Sequence, residues 1–322
     1  MPYKAKSIIR SGAKDIAIAC LDSLIETIDH AAAIDHALAS ITRAKVIREP
    51  FPYLLLDNVF DRDTYDALLQ LVQLDDLFYD EIGGNERYTI LRYPETDYSL
   101  SPAIAEFIDF LARDLNPRFF HACLRKFGDD LLRWGAYISN AGAYTMPLDT
   151  LLSTEPRPPC TDSNAGYEHM ACCFEINRRT ENFAISPHCH PIQELMVGIF
   201  PLVPDNSLEA YGTELFAVKR GHEQKMDKKI FAYVPSDTVE FVSRTKFLSN
   251  SCFMMLNCNG VHAYNPPSKE RRSRSYVYTT LCLSDAALGF TPTMTEQERL
   301  VDMSAWRQTS SVLGRLFGRI VG

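Results

Sequence analysis

No part of this chain is apolar for long enough to cross a bilayer; the longest runs, such as Leu195–Leu202, fall well short of the ~20 residues a spanning helix needs. The segment from Met1 to Arg10 has neither the apolar stretch nor the small-residue cleavage site of a secretory signal, and its few basic residues spell no organelle address. Positive charge is scarce as well. Thirty-three Lys and Arg stand against 41 Asp and Glu, a net charge of −8, which argues against a general nucleic-acid binder needing a basic face. Nine cysteines are present without a Cys-x-x-Cys pair, so a zinc knuckle or thioredoxin-like motif is unsupported. Except for Cys172-Cys173 they are scattered, and reduced thiols in the cytoplasm, mostly as small core residues, are expected. There is no Gly-x-Gly-x-x-Gly, no phosphate loop, no Gly-x-Ser-x-Gly and no internal repeat.

What remains is an ordinary globular composition, 46% hydrophobic and 23% charged, in a chain long enough for one large domain with trimmings. Three parts are expected: a helical extension over 1–48, a main domain over 49–290 and a helical tail over 291–322. From Ala13 to Ile41, Ile18, Leu21, Ile25 and Ile28 recur at helical spacing, predicting a helix packed on the domain, with a partner-binding arm as the alternative. Pro50-Phe51-Pro52 changes the register, and Tyr53–Asp57 reads as a buried strand. Asp61 caps a helix to about Leu74, Arg87–Tyr93 reads as a strand, and Ser101-Pro102 opens another helix, with a further one near Pro117.

From Leu131 onward the pattern is mostly β. The expected strands are Leu132–Ser139, Ala171–Asn177, Phe183–His190, Leu195–Pro201, Thr213–Val218, Ile230–Pro235, Val239–Val242, Cys252–Asn257 and Arg272–Leu283. Many short strands between turn residues indicate an α+β protein with a sandwich, barrel or jelly roll rather than a parallel sheet. Residues 141–169 form an expected long loop of the kind used as a lid or binding loop. Residues 295–321 read as a helix carrying Arg307, Arg315 and Arg319; packing on the domain is expected, and a membrane-surface or partner helix is the alternative.

The sharpest local feature is His188-Cys189-His190. In a strand, side chains alternate, so both imidazoles face one way and Cys189 the other, an arrangement suited to iron, zinc or copper. A third ligand is needed, and His262 follows 72 residues after His190. His-x-His alone also recurs in proteins that bind nothing. Glu194 shares the strand parity of His190, but along a continuous strand it would lie about 13 Å away. Only a turn at Pro191 would bring it near, so a substrate contact or a surface charge is its expected role. Arg272 and Arg274 share one face of the last strand; Arg271 and Ser273 share the other. A solvated basic edge that discourages strand pairing accounts for at least one of these charges. His30, His36, His121, His169 and His222 have no partners at ligand spacing, and Gly212 reads as a backbone need at a turn.

In order, Phe183-Ala-Ile-Ser-Pro-His188-Cys-His190, Gly212-Thr213, His262 and Arg274 resemble the iron(II)/2-oxoglutarate-dependent oxygenases of prolyl-hydroxylase-like kind, over roughly residues 50 to 285. The resemblance implies a double-stranded β-helix (jelly-roll) core with helices packed on it. It further implies Fe(II) held by His188, His190 and His262, and 2-oxoglutarate as co-substrate, gripped by Arg274, 12 residues after His262, or by Arg272. It admits ascorbate as a reductant and implies hydroxylation of a small molecule or biosynthetic intermediate.

One departure matters: where the family carries the Asp of His-x-Asp, this chain has His190, so the metal gains one unit of net charge. His190 also fills the room a halogenase leaves for halide. Two alternatives stay open: a three-histidine iron dioxygenase that uses no 2-oxoglutarate, and a non-catalytic metal-binding jelly roll. His190→Asp separates a degraded 2-oxoglutarate site, which would gain activity, from a true three-histidine enzyme, which would lose it. Substrate and oligomeric state are not legible.

Overall fold

The first described elements are two helices, α1 (Ser11–Ile25) and α2 (His30–Arg43), where the periodicity predicts one. The break falls at Asp29, whose carboxylate accepts from the amides of Ala31 and Ala32 and so caps a new helix. The expected docking is seen: Leu21, Ile25, Ala33, Ile34, Ala37 and Ile41 are buried in the main core. The computed structural model describes residues 11–74, 80–81, 87–93, 101–140, 152–153, 156, 170–179, 183–190, 194–222, 232–257, 260–267 and 272–283. The expected lid loop, save 152–153 and 156, and the expected C-terminal helix lie outside these residues, as do His169 and Arg271.

Next come β1 (Tyr53–Asp57), α3 (Arg62–Leu71), β2 (Asp80–Glu81), β3 (Arg87–Tyr93), α4 (Pro102–Asp109) and α5 (Asn116–Asn140). Asp61 and Ser101 are the expected caps, accepting from the amides of Thr64 and Ile104. A π-helical turn, Phe110–Leu115, joins α4 to α5. One expectation fails here. Leu132–Ser139 is the last part of α5 rather than a strand. Phe120, Leu124, Phe127 and Leu131 recur at helical spacing and are buried, so the packed face carries the helix onward through residues whose own pattern reads as β.

The remaining strands are β4 (Met170–Arg179), β5 (Ile185–Cys189), β6 (Glu194–Pro201), β7 (Glu214–Val218), β8 (Ala232–Tyr233), β9 (Val239–Arg244), β10 (Ser251–Leu256), β11 (Val261–Tyr264) and β12 (Arg274–Leu283). They form two antiparallel sheets. The larger runs β1-β10-β6-β12-β4-β3-β2 and the smaller β8-β5-β11-β7-β9. From β4 onward the chain changes sheet at every step except between β7 and β9.

Alternation along β12 shows how the layers stack. Val277, Leu281 and Leu283 enter the core shared with Phe107, Phe119 and Phe120 of the helices. Tyr276 and Tyr278 face the other way, into clusters with Tyr264 of β11 and Leu215 of β7. The larger sheet therefore lies between the helices and the smaller sheet, and the polar residues of its inner face line the space between the sheets. No helix among the described residues is long and apolar enough to cross a membrane.

Candidate metal centre

His188 ends up opposite His262 because β5 and β11 are antiparallel neighbours with those residues in register. His190, just past the end of β5, joins them. Their ligand atoms lie within 4.8 Å of one another, the one group of three or more His, Cys, Asp or Glu so placed among the described residues. The expected parity holds: Cys189 turns away and is buried with Val239 and Val261, where burial pushes its thiol up to about 12.

Each ring is anchored through Nδ1. His188 Nδ1 lies 2.8 Å from the Ser186 carbonyl and His262 Nδ1 lies 3.1 Å from the Gly260 carbonyl. A carbonyl only accepts, so both Nδ1 atoms carry hydrogen and the neutral rings present bare Nε2 lone pairs. His190 Nδ1 lies 2.5 Å from Glu194 Oε2, which selects the same tautomer. The His190 and His262 rings are stacked within 3° of parallel, their Nε2 atoms 3.1 Å apart. Two lone pairs that close repel unless a proton or a cation lies between them.

A proton on His188 or His262 is disfavoured. Burial, followed by the nearby His190 and Arg179, pulls His188 down to about 3, against the hydrogen bond that its Nδ1–H donates to the Ser186 carbonyl. His262 is held well below its ordinary value by burial and then by the other two imidazoles. Three pre-oriented imidazole nitrogens are the donor set of a divalent transition metal, so the residues fit such an ion.

Glu194 is a correction. Rather than a substrate contact or surface charge, it is the partner of His190, and Tyr278 Oη also donates to its Oε2 at 3.4 Å. The straight-strand distance does not apply because His190 follows a strand of the smaller sheet and Glu194 opens a strand of the larger one. That change of sheet brings the carboxylate back to the imidazole.

Arg274 and Arg272 part company. Arg274 is buried, its guanidinium 3.5 Å from the centroid of Tyr264, which follows His262 by two residues on the same face of β11. Nη1 donates to the Tyr211 carbonyl at 2.7 Å, but Nε is buried without a hydrogen-bond partner among the described residues, as is the Tyr211 hydroxyl. No carboxylate of the described residues lies in ion-pair range of Arg274, and burial lowers its pKa. A buried cation held by aromatic faces and one carbonyl suits an anion. Arg272 is exposed, its charge acting on Asp205.

Sequence reasoning passed over Arg179, Tyr278 and Tyr233. Arg179 lies opposite Arg274 on β4, stacks 3.8 Å from the centroid of Phe183 and donates to the Tyr276 hydroxyl. Tyr233 pairs with His188, its ring 6.4 Å away and about half exposed. The spacing of Arg274, Tyr276 and Tyr278 on one strand face was the available signal for the tyrosines; for Arg179 there was none. Of the other histidines, His30 stacks on Phe110, whereas His36 and His121 bind the Asn58 and Leu152 carbonyls.

No family model matches the chain, and no curated protein matches it. Among solved structures, it is similar to SnoN, a non-haem α-ketoglutarate-dependent epimerase from nogalamycin biosynthesis. Identity is 13%, covering 78% of this chain and 81% of that one, with a TM-score of 0.40. It is also similar to a Pseudomonas putida prolyl-4-hydroxylase, at 8% identity over 79% and 98% of the two chains and a TM-score of 0.38. A third is HygX from Streptomyces hygroscopicus, with nickel and 2-oxoglutarate bound, at 14% identity over 71% and 82% and a TM-score of 0.36. Likeness at these scores carries no argument by itself, and the functional reading stands on the site.

Proposed function

We propose that this chain is a non-haem iron, 2-oxoglutarate-dependent oxygenase with a double-stranded β-helix core, hydroxylating a small-molecule substrate. The alternation of β4–β12 between two four-stranded cores, β10-β6-β12-β4 and β5-β11-β7-β9, supports the jelly-roll reading. One observation carries the functional reading: three Nε2 atoms converge on a point one side-chain step along β11 from a buried arginine that has no carboxylate of the described residues in ion-pair range.

When bound, iron and 2-oxoglutarate would together activate dioxygen, the oxidant, one of its atoms ending in succinate as the co-substrate is oxidised and loses CO2 and the other in the hydroxylated C–H bond of the substrate. His188, His190 and His262 would hold the metal through Nε2. Arg274 would grip the distal carboxylate of the co-substrate; His262 and Tyr264 sit about 7 Å apart along a strand, a separation that a five-carbon diacid spans. Burial strengthens that grip by excluding water from the guanidinium. Tyr233, half exposed beside His188, would be open to contact with a substrate approaching the metal.

The neutral donor set favours a second reading, a three-histidine dioxygenase that binds substrate at the metal without 2-oxoglutarate. Metal content and 2-oxoglutarate binding of anaerobically purified protein distinguish the two. We expect iron in the wild type and its loss in His262→Ala, and loss of 2-oxoglutarate binding with iron retained in Arg274→Ala. Iron without any 2-oxoglutarate binding would transfer the case to the second reading. A protein that takes up no metal would sink both.

A further inference from the structure

Replacing a metal-bound carboxylate by imidazole leaves the proposed site one negative charge short, and the carboxylate bound behind that imidazole makes up the shortfall. We propose that Glu194 is a positioning residue that acts through His190, holding its tautomer and lending the iron site the charge that a ligating carboxylate would bring; this rests on the metal reading above.

The three rings differ in what stands behind them. His188 and His262 lean on backbone carbonyls, neutral acceptors. His190 Nδ1 instead faces a side-chain anion, Glu194 Oε2, at 2.5 Å. That contact sets Glu194 in line with the ring: Nδ1–H faces Oε2 and Nε2 faces the other two imidazoles. A carboxylate so placed makes imidazole a stronger donor and stabilises positive charge at the metal beyond it.

The geometry is held from several sides. Tyr278 donates to Glu194 Oε2 and its ring lies 25° from the plane of His190 at 6.5 Å. Asn257 Nδ2 donates to the His190 carbonyl at 3.3 Å. Glu194 itself pairs across strands with Cys282 of β12, so its backbone is fixed in the larger sheet while its carboxylate crosses to the smaller one. The side chain of His190 is 8% exposed and that of Glu194 25%, so the interaction is only weakly screened.

The test is Glu194→Gln, nearly identical in shape and lacking the charge, in wild-type and His190→Asp backgrounds. Iron(II) affinity and the Fe(III)/Fe(II) midpoint potential are read anaerobically, neither of which requires turnover. In the wild-type background, affinity should fall ~10–100-fold and the potential should move positive, because iron(III) loses more than iron(II) when a nearby anion is removed. With Asp at 190 the ligand brings its own charge, and the same change should alter affinity by less than about 3-fold.

Unchanged affinity and potential in Glu194→Gln, with iron still lost in His262→Ala, would overturn the inference and leave the metal reading standing. Equal losses in both backgrounds would overturn it too, showing a merely structural role. Should His190→Asp hold no iron, the direction of the potential shift in Glu194→Gln decides alone. Wild type without iron would remove the premise and the inference together.

Discussion

At the scale of single residues, charge has been kept off two of the three rings. His188 and His262 are buried as neutral rings, and that has a consequence for metal-free protein. The unfolded chain takes up protons at these positions below about 6.5, whereas folded His188 resists until about 3 and folded His262 resists at least in the same direction. Above 6.5 neither state binds the proton and the stability is fully present; as pH falls from 6.5 toward 3 the unfolded state gains. Urea unfolding of apo-protein should therefore lose about 1.4 kcal/mol per pH unit from His188 across that window, with a further loss in the same direction from His262 and in addition to any carboxylate effects. His188→Asn should flatten the slope between pH 6.5 and 5. A slope equal to that of wild type would mean that His188 is solvated or protonated in the fold.

Arg274 carries the opposite lesson at the same scale. A buried guanidinium facing aromatic rings is a standing demand for an anion, visible only from what surrounds it. Its neighbour Arg272, identical in chemistry and in strand parity, is exposed. Strand parity alone did not separate them.

Among the elements, short strands decide most. β11 spans four residues, Val261–Tyr264, and follows Asn257 and Gly260 too closely to read as a strand, yet it carries His262 into the centre of the smaller sheet. The chain before β7 shows why a glycine precedes it. Gly212 has φ −73°, open to any residue, so the expected conformational need is absent. Its requirement is closeness: a Cβ there would lie 1.8 Å from the Thr245 carbonyl oxygen. The Thr245 amide donates to Thr213 O and the Thr213 amide to Thr245 Oγ1, and these bonds hold the two segments together. Gly212→Ala must part them, and equilibrium unfolding should show a loss of about 3 kcal/mol, at the upper end for overpacking. An alanine variant as stable as wild type would show that the segments can separate freely.

Over the whole molecule, the helices bury one face of the larger sheet while the other face, with the smaller sheet, is left to polar and aromatic chemistry. The two ligand-bearing strands, β5 and β11, belong to the smaller sheet, while Glu194 and Arg274 come from the larger one. A metal at the three histidines, its ligand shell braced from the larger sheet, would link the sheets and stabilise the folded state alone. Iron(II) at a hundred times its dissociation constant should add about 2.7 kcal/mol to the unfolding free energy. Thermal unfolding under anaerobic conditions should show that gain in wild type and none in His262→Ala. A gain persisting in that variant would place the stabilising ion elsewhere.

Helix caps at Asp61 and Ser101, the strand Arg87–Tyr93, most of the later strands and the His-x-His pair were legible in the sequence, because each rests on spacing within a few residues. Local pattern misread the end of α5 and split Arg272 from Arg274 not at all, since burial depends on what packs across. The sequence by itself determined which chemistry was available: two imidazoles on one strand face, a third at a distance, and no ligating carboxylate beside them. Only the tertiary structure decided that His262 would lie opposite His188, that Arg274 would be the buried cation, and that Glu194 would turn back onto His190. Each of those placements follows from strand register and from the chain passing between sheets, long-range pairings that no short-range periodicity encodes.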